Sequence, residues 1–245
     1  MAGERRQRIL DRLVGGGAPE LDTARLCQVC AEVTGMSGGG LMLMSGDIPR
    51  GSVCATDRVS ALMEELQYSL GEGPCVDAYK TDRPVLEPDL AHPAKQRWIA
   101  FAPPAVEAGA RAVFGFPLQL GGVRLGALNV YRSETGSMTD DQHADALVLA
   151  SIAAQAVLVM QANAPPGQLA AELEASADFQ MVVHQASGMI AAQLDVSVAH
   201  ALIRLRAYAF GNDRPLRLVA DDVVARKVRF NAASGEKDPI PSGVN

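Results

Sequence analysis

The chain has 245 residues, 48% of them apolar and 20% charged, and it carries a formal net charge of −6. This length suits one large or two modest domains, with a core that needs neither disulfides nor metals. The acidic balance disfavours a protein that binds nucleic acid over its whole surface, so a nucleic-acid site has to be a local basic patch.

The N-terminal domain is predicted over residues 21–163, after a basic helical arm and linker at 1–20. Apolar residues recur at helical spacing first, and short apolar strands follow a Gly-rich turn at 38–40. The elements predicted for its first half are a helix over 21–33, strands over 41–44 and 51–56, a helix over 58–68, a short strand over 84–86 and a helix over 95–108.

The second half of this domain contains the clearest local signal, a β-hairpin. Strand patterns at 112–120 and 123–131 are separated by Gly121-Gly122 alone, which suits a two-residue turn with positive φ. Thr139-Asp140 then begins a long helix to about residue 161. We therefore predict an α+β fold with an antiparallel sheet flanked by helices.

The long helix includes an apolar run at 146–160. A membrane span needs about 20 apolar residues, so we interpret the run as a buried helix and expect no membrane association. Alanines at 150, 153, 154 and 156 permit close approach of another helix. We expect a homodimer formed through the 140–162 helix and the 169–185 helix.

The C-terminal domain is predicted as three helices over residues 168–231, after the break Ala164-Pro165-Pro166-Gly167. The helices are expected at 169–194, at 198–210 with Ser197 as N-cap, and at 216–228. Residues 203–230 contain seven basic and three acidic residues, a local net charge of +4. The polar, Pro- and Gly-containing residues 232–245 predict a disordered tail.

Two resemblances cover nearly the whole chain. Residues 184–230, with Ala186-x-Gly188-x-Ile190 and Arg214-Pro215-Leu216, resemble the ANTAR domain, an RNA-binding module of transcription antitermination regulators. LGEGPCVDAY at 70–79, RWIAFAPPAVEAGARAVFGFPL at 97–118 and LGALNVYR at 125–132 look like a GAF domain. The first resemblance implies binding to paired hairpins of nascent leader RNA, and the second implies small-molecule sensing or dimerisation. Ser187 and His200 stand where the ANTAR family usually has Lys and Glu.

The candidate RNA-binding residues follow from the ANTAR resemblance and from the chemistry of arginine, whose planar fork fits phosphates and stacks on unpaired bases. A solvated basic face is the alternative for any such charge run. Gly188 inside a helix fits either close helix packing or approach of RNA. The candidates are Ser187, Gly188, Arg204, Arg206, Tyr208, Asn212, Arg214, Arg217, Arg226 and Lys227.

No catalytic residue set, metal site or cofactor is predicted, and cofactor-binding residues are not assigned. Cys27-x-x-Cys30 is interpreted as two core thiols, not as a metal or redox pair. The motif Gly35-x-Ser37-x-Gly39 lies between a helix and a strand, the reverse of a nucleophile elbow. Because no secretory signal follows the N-terminal arginines, we expect a cytoplasmic protein with reduced cysteines.

Three functions remain open in this order. The first is an RNA-binding transcription antitermination regulator controlled by its GAF-like domain, with leader RNA and an unidentified small-molecule effector as partners. The second is a small-molecule sensor whose helical tail docks a protein or dimerises without binding nucleic acid. The third, a DNA-binding helix-turn-helix regulator, is weaker because the third helix presents mainly apolar residues.

Overall fold

A computed structural model describes residues 2–14, 23–45, 48–162 and 178–231 of the chain. Two compact units are present, Met1–Ser176 and Ala177–Asn245. The predicted linkers at 15–20 and 164–167, the first part of the predicted helix at 169–194 and the predicted tail at 232–245 lie outside the described residues.

The N-terminal unit is built on a five-stranded sheet in the order β2-β1-β5-β4-β3, and every neighbouring pair is antiparallel. The predicted antiparallel sheet is thereby confirmed. Its strands are β1 (Gly38–Ser45), β2 (Ile48–Ala55), β3 (Val85–Glu87), β4 (Ala112–Leu120) and β5 (Val123–Arg132).

The predicted hairpin is confirmed almost to the residue. β4 and β5 pair from Ala112 opposite Arg132 to Leu120 opposite Val123. The two turn residues are Gly121 and Gly122, and Gly121 has φ 57°, a left-handed conformation that glycine adopts without steric cost. The turn sets the register of the residues next to it, and an irregularity between Leu118 and Gln119 shifts the register by one residue for the rest of the pair.

Helices cover both faces of the sheet and give the three-layer arrangement that the order of elements predicts. α1 (Ala2–Val14), α2 (Thr23–Thr34) and α6 (Asp140–Ala162) belong to one layer, and α3 (Arg58–Leu70) and α4 (Pro74–Thr81) to the other. A short helix, α5 (Ala102–Glu107), precedes β4. The apolar core lies in the first layer and includes the fully buried side chains of Leu26, Leu41, Phe114, Phe116, Leu128 and Leu149.

The N-terminal helix is part of this core and is not a separate arm. Ile9 and Leu13 of α1 are buried in the core cluster. Arg5, one turn before Ile9, pairs with Asp141 at 2.8 Å and with Asp145 at 2.7 Å on α6. The amphipathic pattern of α1 is thus used to cover α6, which the prediction of a basic arm did not anticipate.

α6 is long and apolar enough to cross a membrane by length and composition, but half of its most apolar window is buried inside the unit. Leu149, Ala153 and Ala154 of this helix are buried against the sheet layer. Those positions support the interpretation of α6 as the core helix of a folded domain.

The helix predicted over 95–108 is wrong in its first half. Only Ala102–Glu107 is helical, because Trp98 has φ 57° and cannot continue a right-handed helix there. Residues 88–101 instead form an irregular strap that packs onto α4 through side-chain hydrogen bonds.

The expectation of four reduced cysteines is also wrong for this structure. Cys27 on α2 and Cys54 on β2 form a disulfide. The CxxC spacing gave no indication of this pair, because Cys27 meets Cys54 only when α2 packs on the β1–β2 hairpin. Cys30 and Cys75 are buried free thiols, and Cys30 therefore agrees with its interpretation as a core thiol.

The C-terminal unit contains three helices: α7 (Asp178–Leu194), α8 (Val198–Gly211) and α9 (Leu216–Val224). Ser197 caps α8 as predicted, since its hydroxyl accepts from the His200 N–H at 3.3 Å. α8 turns by 105° relative to residues 181–194 of α7. α9 ends four residues earlier than predicted, where Ala225 leads into Arg226 at φ 60°. The small core includes Val183, Ile190, Leu205, Val219 and Val223.

Candidate functional site

The sheet face under α3 and α4 includes the buried polar residue Asn129, whereas the opposite face carries the main apolar core. Gly40 of β1 pairs with Asn129 of β5, and Asn129 pairs with Gly115 of β4, so one row across three strands carries a single side chain. A Cβ at Gly40 would lie 2.7 Å from Glu64 Oε1, and one at Gly115 would overlap the carbonyl of Pro74. The two glycines therefore let α3 and α4 approach the strand backbone on either side of Asn129.

Glu64 of α3 is the central residue of a buried polar layer between α3 and the sheet, which also contains Gln67, Cys75 and Asn129. Its side chain is 2% exposed, and its Oε1 accepts a short hydrogen bond from Asn129 Nδ2. Burial raises the pKa of the carboxyl group from 4.5 to about 8, and the hydrogen bond from Asn129 offsets only part of that rise. The carboxyl group therefore holds a proton at neutral pH.

Gln67 and Cys75 complete the layer. Gln67 lies one turn after Glu64 on the same face of α3, and its Oε1 accepts from the Cys75 N–H at 2.6 Å. The Cys75 thiol faces the carbonyl of Ala127 at 3.8 Å. Burial, and then the nearby Glu64 charge, raise the pKa of this thiol well above its usual value, so Cys75 is a core thiol and not a nucleophile.

The N-terminal end of α3 holds the layer in place through a capping box. Asp57 accepts from the Ser60 N–H at 2.8 Å, and the Ser60 hydroxyl accepts from the Asp57 N–H at 3.0 Å. The Tyr131 hydroxyl donates to Asp57 at 3.2 Å. Burial, and then the Asp57 charge, raise the pKa of Tyr131 to about 12, so Tyr131 stays protonated and remains a donor.

The strap of residues 88–101 is fastened to the N-terminal end of α4 at two points. Glu72 accepts from the N–H groups of Ala100 at 2.7 Å and Phe101 at 2.8 Å. Asp77 accepts from the indole N–H of Trp98 at 2.9 Å. Trp98 is buried at positive φ, a strained backbone for a bulky residue, and these bonds compensate for that strain.

A surface cavity of about 340 Å³ lies beside β3 and the first part of the strap. Its lining carries both charges, with Glu87 held by Arg97 at 3.1 Å and Asp89 close to His92 at 3.3 Å. Arg97 also lies over the Trp98 ring at 4.1 Å. The Arg97–Glu87 ion pair therefore links the strap to β3.

In the C-terminal unit, five candidate RNA-binding residues lie on the surface. These are Gly188, Arg204, Arg217, Arg226 and Lys227. Arg229 is also exposed. Among the described residues, Arg204, Arg217, Arg226 and Arg229 form no ion pair, whereas Lys227 lies 3.6 Å from Asp222.

The other candidates are partly or fully occupied inside the unit. Ser187 is fully buried and donates to the Val183 carbonyl at 2.8 Å, so it cannot reach a phosphate in this conformation. Arg214 pairs with Asp222 at 2.6 Å, and this hydrogen bond lowers the pKa of the Asp222 carboxyl group. Asn212 donates to the Tyr208 carbonyl at 2.7 Å and ends α8.

Two candidates are half-buried. The Tyr208 ring lies 5.3 Å from the Phe230 ring, and the backbone N–H of Phe230 donates to Gln193 at 2.8 Å. Arg206 is likewise half-buried, with its Nε shielded from solvent. The exposed cations, and not all of the residues singled out in the sequence, therefore make up the accessible basic surface of this unit.

Inspection of the sequence missed the buried layer of Glu64, Gln67 and Asn129. A signal was present: Ser60, Glu64 and Gln67 recur at helical spacing on one face of a predicted helix, on the same side as the apolar Met63. Asn129 similarly interrupts the apolar strand LGALNVYR. A polar residue at an inward position of a strand or helix is the observation that would have identified the layer.

The N-terminal unit matches the family model of the GAF domain over residues 23–161. Among solved structures, the GAF domain of a phosphoenolpyruvate-protein phosphotransferase from Coxiella burnetii is 17% identical, with 66% of this chain and 95% of that chain covered and a TM-score of 0.48. The corresponding GAF domain from Acinetobacter is 11% identical, with coverages of 66% and 96% and a TM-score of 0.49.

A type II free methionine-R-sulfoxide reductase from Thermoplasma acidophilum is 13% identical, with 63% of this chain and 93% of that chain covered and a TM-score of 0.43. No curated protein matches the chain by sequence. The family match spans 139 of the 245 residues, more than half of the chain. The chain therefore belongs to the GAF domain family.

Proposed function

We propose that the protein is an RNA-binding transcription antitermination regulator in which the GAF domain, a sensory domain, controls the C-terminal three-helix unit. The observation that carries the proposal is the group of four exposed arginines, Arg204, Arg217, Arg226 and Arg229, that form no ion pair among the described residues. The resemblance of residues 184–230 to the ANTAR domain supports RNA as the partner. Exposed guanidinium groups bind phosphates in two-point contacts and stack on unpaired loop bases.

A filter-binding titration on the full chain tests the proposal, using a leader RNA with two hairpins and a matched RNA with one. Replacing Arg204, Arg217 and Arg226 by Ala should weaken binding and lower the slope of log K against log salt by about 2–3, since each lost phosphate contact removes about 0.7–0.9. Arg83→Ala, which removes an exposed arginine of the N-terminal unit, is the matched control. An unchanged salt slope in the triple variant, or equal affinity for both RNAs, refutes the proposal.

Paired hairpins require two RNA-binding units, and we propose that a homodimer supplies them. The outward side of α6 carries Leu147, 43% exposed, and Val159, 63% exposed, and no charged residue occurs from Ala146 to Ala162. Light scattering of a Leu147→Glu, Val159→Glu variant should show loss of the dimer, and the same variant should lose the preference for the two-hairpin RNA. A wild-type chain that is monomeric at micromolar concentration would contradict this step.

A second function is favoured by a separate observation on the C-terminal unit. Ile203 and Phe210 of α8 are 58% and 63% exposed and lie seven residues apart on one face of the helix. Exposed apolar side chains that share one helix face, unlike scattered ones, favour a contact with another protein. In this alternative, the protein is a small-molecule sensor whose helical tail docks a protein or dimerises. The test is a double variant with Ile203→Ser and Phe210→Ser. Loss of regulation in cells with unchanged RNA affinity would favour this alternative.

A further inference from the structure

The Cys27–Cys54 disulfide ties an edge strand to a core helix. Cys54 lies on β2, at the edge of the sheet, and Cys27 lies on α2. Among the described strands β2 pairs with β1 alone, and the register of this pair shifts at two points. An edge strand with an interrupted ladder opens more readily than a central strand, so the disulfide is an important part of what holds β2 in place.

The two sulfur atoms of the bond differ in accessibility. Cys54 is half-buried on its strand, whereas Cys27 is fully buried in the apolar core. Thiol–disulfide exchange requires a thiolate to reach one of the two sulfur atoms. A thiolate from solvent therefore attacks at Cys54, and Cys27 is the leaving sulfur.

The two free cysteines of the unit do not exchange with this bond. Cys30 lies one turn after Cys27 on α2, but it is fully buried, and burial raises the pKa of its thiol to about 12. Cys75 lies on the other face of the sheet, where burial raises the pKa of its thiol well above its usual value. Because the thiolate is the attacking species, the bond responds to an external thiol and does not rearrange within the unit.

We propose that the N-terminal unit is a thiol-redox sensor whose switch is the Cys27–Cys54 pair, with dithiols and disulfides as its chemical inputs. In reduction, one thiolate of a dithiol attacks Cys54 Sγ, and the electron pair of the broken bond goes to Cys27 Sγ, which takes up a proton. The second thiolate of the dithiol then attacks the dithiol sulfur that is bound to Cys54. Cys54 Sγ leaves and takes up a proton, and the dithiol departs as a cyclic disulfide. Two electrons and two protons thus pass to the protein, and a disulfide oxidant reverses the reaction.

Reduction changes the packing around β2 as well as its covalent link. Two thiol sulfur atoms that no longer share a bond need more room than a disulfide, whereas the surrounding core is closely packed. α2 also contacts α1 and α6, and its residues Leu26 and Val29 are buried. β2 is the less constrained of the two elements, so we expect β2 to loosen while α2 stays in place.

A reversible bond suits the proposed regulator, and in this one respect the inference rests on the proposed function. A protein that acts on nascent RNA works in the reducing interior of the cell, where disulfides are usually transient and are either catalytic or redox-sensing. A bond with one accessible sulfur, on a strand that is otherwise weakly held, fits a link that is made and broken.

The test follows the wild-type chain through one cycle of reduction and oxidation. The oxidised protein is treated with dithiothreitol without denaturant, and the thiols of Cys27 and Cys54 that appear are alkylated and quantified by peptide mass spectrometry. We expect complete reduction while circular dichroism shows a folded chain, at a rate that hardly changes in dilute urea. Reduction through global unfolding would instead accelerate as steeply as the unfolding equilibrium does. Oxidised glutathione should restore the bond.

Hydrogen exchange of the two states measures the conformational response. Reduction should speed exchange of the β2 amides by about tenfold or more, because loss of a disulfide lowers the cost of opening the segment that it holds. Exchange in the β4–β5 hairpin should stay unchanged. Cys54→Ser should exchange like reduced wild type with or without dithiothreitol. Cys30→Ala, which alters a buried free thiol on the same helix, is the matched control and should respond to dithiothreitol like wild type.

If a variant fails to fold, the response of the wild-type chain decides alone. The proposal is overturned by a disulfide that dithiothreitol opens only through global unfolding, by reduction that unfolds the unit, or by equal β2 exchange in the two states. Failure of oxidised glutathione to restore the bond overturns it as well. None of these measurements uses RNA, so failure here is distinguishable from failure of the RNA-binding function.

Discussion

Gly188→Ala separates a role of this glycine in helix stability from a role in RNA binding. The substitution should raise the stability of α7, whereas it should lower RNA affinity if RNA approaches the backbone there. Gly188 lies in the middle of α7 on the exposed side, and a Cβ there would meet nothing within 4 Å among the described residues. Helix packing inside the unit therefore gives no reason for glycine. Alanine should stabilise the helix by about 0.8–1 kcal/mol through its higher helix propensity.

Hydrogen exchange of the α7 amides in the full chain measures this effect. A gain of about 1 kcal/mol slows exchange roughly fivefold where exchange requires opening of the helix. If RNA approaches the backbone at Gly188, the added methyl group should weaken RNA binding in the same variant. Gln185→Ala, one turn earlier on the exposed side, is the control and should leave RNA affinity unchanged. Faster exchange in Gly188→Ala, or stronger RNA binding, refutes the reasoning.

Three further predictions concern the N-terminal unit. Gly40→Ala should cost about 1–3 kcal/mol in urea unfolding because its methyl group meets the buried Glu64 side chain, whereas Gly122→Ala, which meets open space, should be nearly neutral. Under oxidising conditions Cys54→Ser should cost about 2–4 kcal/mol through loss of the Cys27–Cys54 disulfide, and in reductant the variant should match wild type. As pH rises from 4.5 to about 8, the free energy of unfolding of wild type should fall relative to that of Glu64→Gln, because the native carboxyl group keeps a proton that the unfolded chain releases. A difference in unfolding free energy between the two proteins that stays constant over this range would contradict the raised pKa.

The sequence predicted the elements whose signals are local. The Gly121-Gly122 turn determines the β4–β5 hairpin, and Ser197 begins α8, because each depends on a few adjacent residues. The strap before α5 and the Cys27–Cys54 disulfide were not predicted. Both depend on contacts between distant segments: the strained backbone at Trp98 is compensated by hydrogen bonds to α4, and the disulfide needs α2 packed on a hairpin. Propensity and spacing do not report such contacts.

The same distinction explains the two candidate sites. Charge along the chain predicted a basic surface at 203–230, and the exposed arginines are present there. The buried layer of Glu64, Gln67 and Asn129 escaped notice because its members come from α3 and β5 and meet only across the sheet. Polar residues at inward positions were the available signal, and they were assigned to ordinary helix and strand patterns instead.

A charge count also overestimates what one C-terminal unit offers to RNA. Of the seven basic residues in 203–230, Arg214 and Lys227 share the carboxylate of Asp222, and Arg206 is half-buried. In the proposed complex with RNA, four exposed arginines without ion pairs would give about four phosphate contacts, corresponding to a salt slope near −3 to −4 and modest affinity for a single hairpin. Two linked units gain roughly 10²–10⁴ in affinity because the second contact is intramolecular. Under the proposed function, tight binding of RNA by this acidic protein would therefore require two units acting together on paired hairpins, and a single hairpin bound as tightly as a pair would contradict the proposal.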